Sequence, residues 1–247
     1  VKRFVVCIVL ALLLLPGLSW GAVVVVSTAE VLQATLAASK TQSVTVSAGS
    51  DRCLVVPVAF DLDGRTVSGI TFNGSENFVK KSDHTYVTGA PSMRTEFWYL
   101  INPTVTTANV VISIAGGTAR FAGAVFAVTG CHQTTPLGTA VTSGSGTANA
   151  SVTVADGATG DLVIDLIQDG AGDADPVGAG QTQVGYTVLD VYAIGTSYEA
   201  GAASVAMSWT NTAAERHLAA INIFQASGSP PPADPPIGTF NLLGVGT

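Results

Sequence analysis

The sequence predicts an all-β protein, an antiparallel sandwich of two sheets. Three observations carry that expectation. From Val44 onward the apolar stretches are short, rich in Val, Ile, Thr and aromatics, and bounded by Gly, Asn, Asp or Pro, which is how half-buried strands and their turns read. About a dozen such stretches follow one another at close spacing, the rhythm of a sandwich or barrel. No segment after residue 40 keeps the 3.6-residue period of an amphipathic helix.

The chain opens with Lys2 and Arg3, an apolar run of 12 residues from Phe4 to Leu15, and the breakers Pro16 and Gly17. That run is too short to span a bilayer as a helix. With small Ser19 and Gly21 at the −3 and −1 positions, residues 1–21 read as a secretory signal peptide cleaved after Gly21. The competing reading is a retained anchor, because Val23 to Val26 carries the hydrophobicity past Gly21. A secreted or cell-surface location is expected, with no membrane span after cleavage. Val1 in the place of an initiating Met reads as a literally translated GTG start and points to a bacterial source.

Residues 22–226 are expected to form one sandwich domain. Ala29 to Ala38 has room for one helical turn or two. Strands are expected near Ser43–Ala48, Cys53–Asp61, Arg65–Phe72, Met93–Asn102, Ala108–Ala115 and Arg120–Gly130. They continue near Ala148–Val154, Asp161–Gln168, Gln181–Asp190, Tyr192–Tyr198, Ala203–Thr210 and His217–Gln225. Alternation assigns their faces. In Met93 to Ile101 the core face is Met93, Thr95, Phe97, Tyr99 and Ile101, leaving Arg94, Glu96, Trp98 and Leu100 outward. In Ala203 to Thr210, Val205, Met207 and Trp209 point inward, and Leu162, Ile164 and Leu166 oppose Val163, Asp165 and Ile167 in the same half-buried manner. Pro57 lacks a ladder donor, which places its strand at an edge or at a bulge. No internal repeat is visible. Residues 227–247 form a Pro-rich linker and short tail, since Pro230, Pro231, Pro232, Pro235 and Pro236 favour extended chain without a core.

The chain has 10 basic and 17 acidic residues; without Lys2 and Arg3, 8 stand against 17, a net charge of −9. Such a surface repels nucleic acid and anionic membranes. Charged residues make up only 11% of the chain, so Thr, Ser, Asn and Gly must supply its polar surface. Cys7 leaves with the signal peptide, and Cys53 and Cys131 remain. After export a pair invites a disulfide, worth about 4 to 5 kcal/mol for the long loop enclosed. Two separately buried thiols are the alternative.

The runs RCLVV at 52–56, VSGITFNG at 67–74, FWYLINP at 97–103, AGAVFAVTG at 122–130 and GDLVID at 160–165 resemble poorly characterised jelly-roll, concanavalin-like β-sandwich modules of large secreted or surface proteins of bacteria. The likeness covers roughly residues 33–225. It implies a jelly-roll sandwich with an extracellular, accessory role and carries no catalytic residues. Cys53 and Cys131 depart from that pattern.

A glycan is the favoured partner, or another cell-surface component. Sugar C–H faces pack on exposed rings, and Trp98, flanked by Arg94 and Glu96 on the outward face, fits such a platform. Trp98 could equally lie under a loop or in a second core layer. Calcium is the candidate ligand of Asp169, Asp173 and Asp175 in DGAGDADP, where it would brace the loop, with Asp61 and Asp63 as a second set. Asp and Gly also dominate ordinary turns. No other cofactor is expected. A glycoside hydrolase needs two facing carboxylates, and Glu76, Glu96, Asp165, Glu199 and Glu215 show no array that would supply them. His84, His132 and His217 accompany no nucleophile elbow. A non-catalytic binding module is therefore expected first, a structural or adhesive subunit second and a glycoside hydrolase third.

Overall fold

The structure is a computed structural model and describes residues 21–60, 64–87, 93–145, 149–170, 175–189, 192–210 and 215–226. Among them there is no helix, and every sheet is antiparallel. The first half of the chain supplies β1 (Val24–Ala37), β2 (Ser39–Thr45), β3 (Cys53–Phe60), β4 (Thr66–Phe72), β5 (Glu76–Asn77), β6 (Val79–Tyr86), β7 (Met93–Ile101), β8 (Thr107–Ala115) and β9 (Ala119–Thr129). The second half supplies β10 (Val141–Ser145), β11 (Ala150–Val154), β12 (Leu162–Asp169), β13 (Thr182–Leu189), β14 (Tyr192–Ala200), β15 (Val205–Trp209) and β16 (Arg216–Ile223).

These strands make four sheets, not two. The first half folds into an inner sheet ordered β1-β9-β3-β7-β6 and an outer sheet ordered β2-β8-β4-β5. The second half folds into an inner sheet ordered β10-β16-β12-β14-β13 and a small outer sheet of β11 and β15. The two inner sheets lie face to face along a seam in which β13 and β14 cover β9, β12 covers β3 and β16 covers β7. Strands stacked over strands in this way are aligned sheet packing.

Three apolar layers follow from the four sheets. Leu54, Val58, Phe60, Ile70, Phe72, Ile112 and Phe121 fill the space between the sheets of the first half. Val55, Phe97, Phe126, Ile164 and Ile221 fill the seam, which Ala59, Ala122, Leu166 and Ile194 extend. Val152, Val163, Ile167, Met207 and Trp209 fill the second half. A sheet covered on both faces has no solvent side. β3, β12 and β16 are accordingly buried at every position, and β7 and β12 are not the half-buried strands that alternation alone predicts.

The halves share one connectivity. Replacing β1 by β10, β3 by β12, β6 by β13, β7 by β14 and β9 by β16 turns one inner order into the other, and β2 and β8 correspond to β11 and β15. Where β4 lies beside β8, the second half keeps a bridge between Val177 and Trp209, with Gly178 N donating to Ser208 O at 2.8 Å. Both inner edge strands are bulged against their neighbours, between Lys80 and Ser82 in β6 and between Gln183 and Gly185 in β13. A structural repeat is present where none was visible in the residues.

Other expectations change as well. Ala29 to Ala38 is mostly the long strand β1, paired with β9 over most of its length, and no helical turn forms. β6 and β10, absent from the sequence reading, are polar edge strands: VKKSDHTY and VTSGS offer too few apolar residues to show a period. Pro57 is neither at an edge nor at a bulge. It sits in central β3, where the pairing to β9 lapses between Val55 and Val58 without a change of register. Gly123 faces it there, and a β-carbon on Gly123 would stand 2.0 Å from the Pro57 carbonyl oxygen. The signal-peptide and tail assignments fall on residues 1–20 and 227–247, outside the described residues.

Candidate functional site

β7 carries the residues expected to bind a ligand. Met93, Thr95 and Phe97 point into the seam, while Arg94, Glu96 and Trp98 point toward the outer sheet of the first half. That outer sheet covers them. Trp98 is 6% exposed and packs in the core with Val56, Val67 and Ile70, so its ring is not an open platform. Glu96 is fully buried and accepts five contacts. Trp98 Nε1 donates to Oε2 at 2.9 Å, while Arg94 Nε at 3.0 Å, Thr66 Oγ1 at 2.5 Å and Val67 N at 3.2 Å donate to Oε1. Lys80 Nζ lies 3.8 Å from Oε2 and 5.6 Å over the Trp98 ring. Asp83 completes the group, 2.7 Å from Arg94 and 2.9 Å from Lys80, and the Lys80 hydrogen bond holds its carboxyl below the usual range. This is a charge-balanced latch between β6, β7 and β4, closed to solvent on its carboxylate side.

The second half holds a counterpart that its residue type alone does not set apart from the other acids of the sequence. Asp165 is fully buried on β12 and accepts from Ser197 N at 2.9 Å and Ser197 Oγ at 2.7 Å on one oxygen. Gln181 Nε2 at 3.1 Å and Trp209 Nε1 at 2.8 Å donate to the other oxygen. All four donors are neutral. They favour the anion, but burial outweighs them and pushes the carboxyl up to about 7. A shifted acid of this kind often marks a working site. Glu199, whose carboxyl burial also raises, shares the face with Ser197 on β14 and brings a second carboxylate nearby. The Gln181 side chain also donates to Ser197 Oγ at 2.7 Å and so spans Asp165 and its neighbour.

The remaining acids are dispersed. Glu76 on β5 accepts from Thr104 N and Thr104 Oγ1, and Glu215 precedes β16. Asp169 and Asp175 are buried, whereas Asp173, Asp61 and Asp63 lie outside the described residues. Among the described residues no three His, Cys, Asp or Glu side chains gather as metal ligands.

The histidines divide. His132 is a turn residue whose Nδ1 accepts from Thr134 N at 3.2 Å and Thr135 N at 3.0 Å. His217 on β16 is nearly enclosed in the seam, stacked on Tyr86 of β6 with ring centres 5.7 Å apart. Burial pushes its imidazole down to about 4, with His84 adding to the effect. Cys53 and Cys131 are buried free thiols in the seam.

Aromatic side chains are missing from the described outer surface in one specific sense: the exposed large apolar residues are Val24, Val26, Leu32, Leu36, Val79, Val87, Ile101, Val105 and Val188, all aliphatic. No helix among the described residues is long and apolar enough to cross a membrane. Comparison with protein-family models, with curated proteins and with solved structures gave no match.

Proposed function

We propose that this chain is an extracellular, non-catalytic structural or adhesive module made of two jelly rolls stacked face to face. The jelly-roll reading is supported by the strand orders. In the first half β1, β9, β3 and β7 share one sheet while β2, β8, β4 and β5 share the other, so the chain winds back and forth between two four-stranded layers, with β6 added at an edge. The second half is a shortened copy. The signal-like opening, the low content of charge and the dominance of Thr, Ser and Gly on the surface support the extracellular assignment.

One observation carries the functional choice. The side chains with the most chemistry to offer, Glu96, Trp98, Asp165 and Trp209, are all spent inside the two sandwiches. A glycan platform at Trp98 loses its support, and the two buried acids Glu96 and Asp165 stand apart, one in each half. What the surface offers instead is β1, an edge strand with Val24, Val26, Leu32 and Leu36 outward. Exposed edges with apolar side chains pair with other strands. Sedimentation velocity over a wide concentration range, with negative-stain microscopy of the concentrated sample, tests the reading. Concentration-dependent association is the expected result. A strictly monomeric chain that retains a polysaccharide on a glycan array would overturn it.

A further inference from the structure

We infer that Cys53 and Cys131 are the site of a structural disulfide, made while the chain folds, that ties the start of β3 to the connector between the two halves. The backbone around them is already drawn together. Gln133 Nε2 donates to Arg52 O at 3.2 Å and to Cys131 O at 2.9 Å, so a single amide clamps the carbonyls beside the two cysteines. Cys131 N donates to Asp51 O at 2.9 Å, and Asn102 N donates to Arg52 O at 2.8 Å. Asp51, with φ of 53°, and Gly130, with φ of 71°, turn the two strands so that they meet there. Both side chains enter one apolar cluster with Val23, Val128, Leu137 and Leu162. The strongest influence on the Cys53 thiol is the thiol of Cys131, which together with burial holds it well above the usual thiol range.

Position gives the bond its purpose. Cys131 bridges to Gln225, His132 N donates to Phe224 O at 2.9 Å, and Ala226 N donates to Gly130 O at 2.7 Å. The connector is thus woven into the end of the second half, and a bond from it to β3 fastens both halves at one end of the seam.

The chemistry is a two-electron exchange. Each thiol gives up its proton, one sulfur–sulfur bond forms, and an external disulfide such as oxidised glutathione is reduced to two thiols. Cys53 is 1% exposed and Cys131 is fully buried, so that exchange precedes closure of the seam. The inference rests on the extracellular reading only for the natural source of oxidant. The experiment supplies its own oxidant, which separates failure of the bond from failure of that reading.

The full chain carrying Cys7→Ser is unfolded under reducing conditions and refolded in a mixture of reduced and oxidised glutathione. It is then denatured and treated with iodoacetamide, with and without reductant. The expected result is no alkylation before reduction and two alkyl groups after it, with a peptide map joining Cys53 to Cys131. The oxidised protein should also unfold at a higher denaturant midpoint than the reduced one, and the Cys53→Ser, Cys131→Ser double variant should match the reduced form and ignore reductant. Two alkyl groups without reductant, mixed disulfides with glutathione or disulfide-linked dimers would each overturn the inference.

Discussion

The two halves bury one carboxylate apiece beside a tryptophan indole, yet they hold it in different ways. Glu96 keeps Arg94 and Lys80 at 3.0 and 3.8 Å and remains linked to the surface through Asp83. Asp165 has only neutral donors. Glu96 is faced by cations, whereas four neutral hydrogen bonds leave Asp165 titrating near neutrality, at about 7. The lesson is that an equal number of hydrogen bonds does not give an equal electrostatic result, because the charges around them differ. Stability should depend on pH through the Asp165 site of the second half.

Truncation of either tryptophan is the largest expected effect. Trp98→Ala and Trp209→Ala should each cost about 3 to 5 kcal/mol in urea unfolding, because both rings are enclosed. The Phe variants separate packing from hydrogen bonding. Trp209→Phe, which removes a donor to Asp165, should push Asp165 up further and carry its fall in stability to higher pH, while Trp98→Phe should leave Asp165 where it is. Equal pH profiles for the two variants would remove the distinction drawn between the halves.

Asp165 itself comes next. Its folded value of about 7 stands above its ordinary 3.8, so the folded state binds more protons between those limits. Stability from this group therefore falls as pH rises from about 4 to about 7, by up to about 4 kcal/mol. Denaturant melts at pH 5 and pH 8 should show Asp165→Asn gaining on the native chain as pH rises, because the variant no longer loses the stability that Asp165 gives up. The amide turns one acceptor into a donor facing Trp209 or Ser197, so Asp165→Asn should also be less stable than the native chain at pH 5.

The seam supplies a contribution of opposite sign over an overlapping pH range. His217 titrates at about 4 when folded against 6.5 ordinarily, so the folded state binds fewer protons and stability falls as pH drops from about 6.5 toward 4. The gap is worth about 3 kcal/mol. His217→Phe, which can still stack on Tyr86, should remove this gain with rising pH and uncover the opposing fall from Asp165 between about pH 4 and 7. A variant that kept the native pH profile would place the titration elsewhere.

These contrasts mark where the residues spoke and where they did not. Val205, Met207 and Trp209 against Ser204, Ala206 and Ser208 gave the right faces because β15 borders a single core. β7 misled because Glu96 and Trp98 alternate with Phe97 whether the second face meets water or another sheet. Period alone cannot tell these apart. The acid inside the aliphatic run LVIDLIQ was a usable sign that β12 is covered on both faces, since a solvated strand would not need Val163 and Ile167 beside Asp165. The duplication was illegible for another reason: β16 reads RHLAAINI where β9 reads ARFAGAVFAVT, and the shared feature is where the strands go rather than which side chains they carry. Nothing in the lysines of VKKSDHTY announced that Lys80 would reach back over Trp98.

That lysine is the smallest and sharpest test of the comparison. Lys80 is partly exposed, so its attraction to Glu96 and to the Trp98 ring is screened, and Lys80→Ala should cost only about 0.5 to 1 kcal/mol. The cost should shrink as salt is raised, because the pair lies near water. A matching neutral truncation in the second half, Gln181→Ala, should cost about 1 to 3 kcal/mol and be insensitive to salt, since it strips a donor from a sealed acid. If both variants responded to salt alike, the two carboxylates would be held by the same means, and the cations of the first half would be ornaments of its surface rather than part of what holds Glu96 in place.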